Sequence, residues 1–197
     1  MRFGPGPSWQ LSISDPFDLF FALYVRDATG IVAADDVPSL TPPVPGRATT
    51  SSERQRAALT EQWTAWWTTL LADQADERGR GGVDEPDFSS TVDAPELRTA
   101  QQTVFRPACA WRSANRFNER HSDVTAALMP THLVAELERE AGRTAPPFSY
   151  SVDVIPADGA WLLDLSPTRL LLSENLYADT GSFREVLRPR LTALITD

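Results

Sequence analysis

Along the carboxy-terminal quarter of the chain, apolar and polar side chains alternate with a period of two. Phe148, Tyr150, Val152 and Val154 fall on one side, and Ser149, Ser151, Asp153 and Ile155 on the other. Trp161, Leu163 and Leu165 repeat the pattern, and Leu170 and Leu172 follow it. A period of two predicts strands. The stretches between them, Pro156-Ala157-Asp158-Gly159 and Ser166-Pro167-Thr168-Arg169, carry turn residues. Closing both as hairpins places Val154 opposite Trp161, Val152 opposite Leu163, Tyr150 opposite Leu165, and Leu165 opposite Leu170. Tyr150, Leu163 and Leu172 then share one buried face. The other face collects Ser149, Ser151, Asp153, Asp164, Ser166, Arg169 and Ser173, with Asp153 and Asp164 as diagonal neighbours. Ile155, Leu162 and Leu171 on that polar side hint at partial cover.

The buried face needs a lid. Ser182 and Glu185 have the spacing of a capping box, and Phe183, Val186, Leu187, Leu191, Leu194 and Ile195 recur at helical spacing. Pro189 falls inside this run and should kink it.

Helical periodicity dominates the rest. Asp15-Pro16 with Asp18 opens a helix carrying Phe17, Phe20, Phe21 and Tyr24, and Gly30 is its expected stop. Ser51 or Ser52 caps a second helix over about 53–77, striped by Leu59, Trp63, Trp66 and Leu70 and widened by Trp67 and Leu71. Further helices are expected at 95–105, at 108–121 beyond an interrupting Pro107, and at 131–141, opened by Pro130. Trp9, Leu11 and Ile13 alternate with Gln10, Ser12 and Ser14, a short strand placed at the sheet's edge. Residues 34–51 hold prolines at 38, 42, 43 and 45, and 78–94 is rich in Gly, Pro, Asp and Ser, so both are expected as exposed loops. The predicted fold is one α+β domain over residues 1–197. About five helices form its amino-terminal and central part, and an antiparallel three-stranded meander lies under the terminal helix.

Composition narrows the chemistry. The 197 residues are 42% hydrophobic, an ordinary globular fraction that needs no disulfide or metal staple. Eighteen basic residues are all arginine, and there are two histidines and one cysteine. Without lysine there is no Schiff base and no phosphate-loop ammonium. Arginine in place of lysine fits a GC-rich, bacterial coding genome. No cofactor and no metal site is expected. The longest apolar run, Leu19 to Val25, is far short of a membrane span, and no leader pattern follows Arg2, so a cytoplasmic protein with no membrane contact is expected. A net charge of −9 argues against nucleic acid and favours a basic protein partner or self-association.

Three constellations offer chemistry. Trp63, Trp66 and Trp67 supply binding area if exposed, and Trp67, off the main stripe, is the one expected to reach the surface. Arg112, Arg116 and Arg120, four apart on one helix with Arg106 and His121 nearby, form a basic stripe able to hold a phosphate or carboxylate, with Glu119 available to neutralise part of it. Asp153, Asp164 and Arg169 are the third, because adjacent carboxylates can separate their pKa values and act as acid and base. His121-Ser122-Asp123 has triad residue types but the wrong geometry, since consecutive helical residues do not face one another. His132 is within reach of Glu136, Cys109 reads as a small buried hydrophobe, and Arg78 to Gly82 lacks the strand and helix of a phosphate loop. The expectation is a non-catalytic protein-binding or accessory module. The alternative is a hydrolase acting on a small anionic substrate through Asp153, Asp164 and Arg169 or through the arginine stripe. A third possibility is a small-molecule site lined by the tryptophans.

Overall fold

The computed structural model describes residues 9–32, 37–46, 52–76, 88–115 and 124–196, with the side chains of 124–127 left aside. Among them run β1 (Gln10–Ser14), α1 (Phe17–Thr29), α2 (Glu53–Ala75), a short 3-10 turn (Ser89–Thr91), α3 (Pro95–Ala114), α4 (Val124–Ala141), β2 (Ser149–Ile155), β3 (Leu162–Ser166), β4 (Arg169–Ser173), α5 (Glu174–Ala178) and α6 (Thr180–Thr196). The four strands form one mixed sheet in the order β1-β2-β4-β3. β1 and β4 are both parallel to β2, and β3 is antiparallel to β4.

That order corrects the meander. The turn at Ser166–Arg169 does close a β3–β4 hairpin, but β4, not β3, lies beside β2. The cause is legible in burial. β4 carries Leu170, Leu171 and Leu172 in succession, all at 0% exposure, and β2 ends in Val152, Asp153, Val154 and Ile155, all buried. Strands buried on both faces read as unbroken apolar runs and take interior positions. β3, with exposed Leu162 and Asp164, takes the edge. The stretch read as a β2–β3 hairpin turn instead pairs with the proline-rich segment. Thr41 N donates to Pro156 O at 2.9 Å, Asp158 N donates to Ser39 O at 2.7 Å, and Leu40 bridges Ala157. The chain is thereby carried past the neighbouring position.

The register changes accordingly. Val152 pairs with Leu170 and Val154 with Leu172, while Leu163 pairs with Leu171 and Asp164 with Leu170. An irregularity between Asp164 and Ser166 leaves Leu165 without a cross-strand partner of its own. Tyr150 and Leu172 do share a face, but Leu163 lies on the opposite one. The edge position expected for the Trp9–Ile13 segment holds, with β1 pairing in parallel.

Both faces of the sheet are covered. Tyr150, Val152, Val154, Leu170 and Leu172 pack with α4, α5 and α6, where Leu133, Leu137, Phe183, Leu187 and Leu191 close the layer. The terminal helix therefore covers the face expected of it. Its start differs: the Asp179 carboxylate accepts from Ser182 N at 2.9 Å, so Asp179 does the capping and Ser182 does not. On the other side Ile155 and Leu171 meet α1, α2 and α3. The polar, wet face expected there is a second core over much of its extent. Its centre is α1, whose residues Leu19 to Val25 are fully or almost fully buried. Phe21 stacks on Phe88 at 5.9 Å and meets Phe105 edge-on at 5.6 Å. Phe21 and Phe88, sealed from water, each contribute about 2–3 kcal/mol.

The helix boundaries hold in part. Ser52 caps α2 in a capping box with Gln55, and Gly30, at φ 71°, stops α1 in the left-handed conformation that glycine adopts without strain. Pro16 precedes α1 with no side-chain cap; Asp15 is engaged elsewhere. Pro107 and Pro130 lie inside continuous helices and do not begin or break them. Tertiary packing outweighs the lost backbone bond at each.

The described part of the first long loop is exposed at Ser39, Pro42, Pro43, Pro45 and Gly46, as expected, but it is pinned to the core at Leu40. Arg26, 3% exposed, donates through Nη1 to Val37 O at 2.9 Å and through Nη2 to Pro38 O at 2.6 Å. Asp27 pairs with that guanidinium and accepts from Leu40 N at 2.7 Å. Leu40, 2% exposed, is thereby fixed in the core. Of the second loop, Phe88 is buried, and residues 77–87 lie outside the described set. No described helix is long and apolar enough to cross a membrane.

Candidate functional site

A chain of polar side chains runs from the β1–β2 edge into the α1–α2–sheet core. Ser14, at the end of β1, donates its hydroxyl to Asp153 Oδ1 at 2.5 Å. Asp153, in β2 and fully buried, accepts on its other oxygen from Arg169 Nε at 2.7 Å. Arg169, first residue of β4, reaches through Nη2 to Gln74 Oε1 at 2.5 Å. Gln74, at the end of α2, turns its amide nitrogen to Asp18 Oδ2 at 2.8 Å, and Asp18 Oδ1 accepts from Leu19 N at 2.9 Å. Five elements meet in one line of alternating donors and acceptors. Gln74 has only one orientation that serves both ends, with oxygen toward the guanidinium and nitrogen toward the carboxylate.

Asp18 is the perturbed member. Burial pushes its carboxyl above the ordinary carboxylate value, the hydrogen bonds from Leu19 and Gln74 oppose this, and the Asp153 charge adds a smaller upward push.

Above it the sheet presents a polar row. Ser12 pairs with Ser151, Ser151 with Arg169, and Arg169 with Ser166, so three hydroxyls and a guanidinium cross four strands at one level. Ser12 and Ser151 are in hydrogen-bond contact at 3.0 Å.

The carboxylate pair expected across one strand pair is not formed. Asp153 pairs in register with Leu171 and faces α1 and α2, whereas Asp164 pairs with Leu170 and faces α6. β4 separates them, because the unbroken leucine run claims the interior position. Asp164 instead forms a two-pronged ion pair with Arg190 of α6, at 2.7 Å for each prong. The Arg190 hydrogen bond holds its carboxyl below the ordinary value, against a smaller upward push from burial. The pair sits in an open groove of about 590 Å³ between the β3–β4 turn and α6, which Pro167, Pro189, Ala193 and Leu194 also line.

Arg112 does not head a solvated stripe. Its Nη2 donates to Asp15 O at 2.6 Å and meets Asp15 Oδ2 at 2.8 Å, and its guanidinium lies over Phe17 and Phe20 at 5.0 and 5.4 Å. Its Nη1 is buried with no acceptor among the described residues. Arg116 and Arg120, with Glu119 and His121 to Asp123, lie outside the described residues, as do Arg78 to Gly82. Trp67 does not reach the surface. It is 6% exposed and stacks on Trp63 at 5.8 Å, and Trp63 donates its ring N–H to Ala22 O at 2.8 Å. Trp66 is the half-buried member, so the helix is rotated from the expected stripe. Glu136 is taken by Arg184 and Arg188 of α6, not by His132, and these hydrogen bonds hold its carboxyl below the ordinary value. Cys109 is half-buried. No three His, Cys, Asp or Glu side chains among the described residues converge as metal ligands.

Asp18, Gln74 and Ser14 escaped the sequence reading, yet two of them left a signal. Trp63, Trp67, Leu70 and Gln74 follow one helical stripe, so Gln74 is a polar residue where packing demands an apolar one. Asp18 precedes Phe21 and Val25 by three and seven positions and shares their buried side. A polar residue in register with a buried stripe is the informative exception.

Comparison with known families, curated proteins and solved structures finds no match to this chain.

The line is exposed at Ser14 and buried from Asp153 inward. Each Asp153 oxygen accepts a hydrogen bond, and the side chain itself has no exposed surface. Arg190 occupies both oxygens of Asp164. The arrangement ties helices to strands, and leaves open surfaces outside the ties.

Proposed function

We propose that this chain is a non-catalytic protein-binding or accessory module. One observation carries the reading: among the described residues, the candidate groups Asp153, Asp164, Arg169 and Arg112 are each engaged by a partner distant in sequence. A general base must reach the proton it removes; Asp153 is buried with both oxygens bonded, and the exposed Asp164 has each oxygen on Arg190. The open surfaces suit a macromolecule better than a small substrate. The α6 groove is shallow-sided and mixes apolar side chains with an ion pair, and the sheet ends in two edge strands. The −9 charge favours a basic partner by steering its approach.

The test is binding. A partner recovered from the source cell is titrated by calorimetry at low and physiological salt. A saturable one-to-one complex that weakens with salt supports the reading; heat that never saturates, at either salt, counts against it.

A hydrolase acting on a small anionic substrate is the second reading, favoured by one feature, the buried Asp18 with its raised pKa. Buried carboxyls of this kind cluster at active sites. Its proton would have to travel through Gln74 and Arg169, neither of which exchanges a proton readily, and this places the reading second.

A further inference from the structure

We infer that β1 is a self-pairing edge through which two copies of the chain, by antiparallel β1–β1 pairing about a twofold axis at Ser12, join their mixed sheets into one of eight strands. The inference deepens the reading of the chain as a binding module by naming a second copy as an occupant. Edge strands are ordinarily guarded by charges, prolines or bulges. β3 follows that rule, with its irregular register and the Asp164–Arg190 pair. Among the described residues β1 has no such guard: Gln10, Leu11, Ser12, Ile13 and Ser14 contain no charge and no proline, and pair with β2 in unbroken register.

Its free groups suit a second copy. Gln10 N donates inward to Phe148 O at 2.8 Å, so the main chain of Gln10, Ser12 and Ser14 faces β2. The alternation of a strand then turns the N–H and C=O of Leu11 and Ile13 outward. Antiparallel pairing centred on Ser12 sets Leu11 against Ile13 of the other copy, twice. Each is a hydrogen-bonded pair, so every outward group of both strands gains a partner. The side chains agree at each position. Leu11 meets Ile13 on the face that packs with α4 to α6, and Ser12 meets its own copy on the polar face. Gln10 meets Ser14, and Asp15 meets Trp9. No like charges oppose one another, which matters between two bodies of charge −9.

The interface is short, so association on the order of micromolar is expected. Mass is measured by light scattering while the loading concentration rises from about 1 to about 500 µM, the span that such a small interface requires. The wild type should climb from 21.7 kDa toward twice that value. S12K and S12E each set like charges opposite across the axis, at an exposed site, and each should stay monomeric while remaining folded by circular dichroism. An equimolar mixture of the two should recover the dimer. A wild type monomeric throughout would overturn the inference while leaving the calorimetric test of binding standing. A dimer insensitive to S12K, or single variants that never recover on mixing, would overturn the Ser12-centred pairing.

Discussion

Replacing Arg169 by methionine removes the one cation in the buried line and keeps most of the side chain's volume. Asp153, at 0% side-chain exposure, would then keep only the Ser14 hydroxyl, and the Gln74 oxygen would lose its donor. Breaking a buried ion pair from one side costs about 3–5 kcal/mol, because the surviving charge is stranded. Arg169 is 20% exposed, so some water can replace it, and the lower end, about 3 kcal/mol, is expected. For a chain of this size that is a fall in Tm of about 6–12 °C. Urea and thermal unfolding followed by tryptophan fluorescence measure it. The double variant R169M/D153N removes the stranded charge too, so it should recover roughly half the loss and leave mainly the missing hydrogen bonds, at about 1 kcal/mol each. A loss below about 1 kcal/mol for R169M, or a double variant less stable than the single, would refute the stranded-charge argument.

Three further outcomes follow from the same geometry. The Asp18 carboxyl is raised by folding, so the fold favours its protonated form; that contribution is complete below the unfolded value and lost as pH rises through the folded one. The stability of wild type relative to Asp18→Asn should therefore decline as pH increases from the acid side toward neutrality, and a flat difference in urea titrations would contradict it. Burial pushes the Tyr150 hydroxyl up to about 12, so its stabilisation is present below about 10 and disappears as pH climbs toward about 12; Tyr150→Phe should flatten that alkaline loss in ultraviolet-monitored unfolding, and an unchanged alkaline limb would contradict it. Arg26→Met should release the 37–46 segment and speed its cleavage by proteinase K about tenfold, a local opening worth about 1.4 kcal/mol, whereas an unchanged cleavage rate would mean Leu40 and Val44 hold the segment alone.

The elements were more legible than their arrangement. The strands at Gln10–Ser14, Ser149–Ile155 and Leu162–Ser166 follow from alternation, and α2 from its stripe and capping serine. The strand order did not follow, because alternation fixes which residues share a face within one strand but not which strand is its neighbour. The needed signal was the break in alternation at Leu170 to Leu172, which marks a strand buried on both sides. The error propagated to the site. A meander order would bring Asp153 and Asp164 together, whereas in the fold a strand and two faces separate them. Arg169 was correctly grouped with Asp153. Its link to Asp18 depends on a contact 95 positions away in sequence at Gln74, which no local spacing encodes. The prolines misled for a related reason. Pro107 and Pro130 oppose helices locally, but the apolar faces of α3 and α4 are long enough to carry the helix through.

The proposal that Asp18, Asp153 and Arg169 serve as ties and not as catalysts is tested most directly by turnover. Hydrolysis of chromogenic ester, phosphate and glycoside substrates is compared for the wild type, Asp153→Asn and Asp18→Asn, each confirmed as folded by its fluorescence. The account predicts the same buffer-level rate for all three. A wild-type rate above background that either substitution abolishes would contradict it.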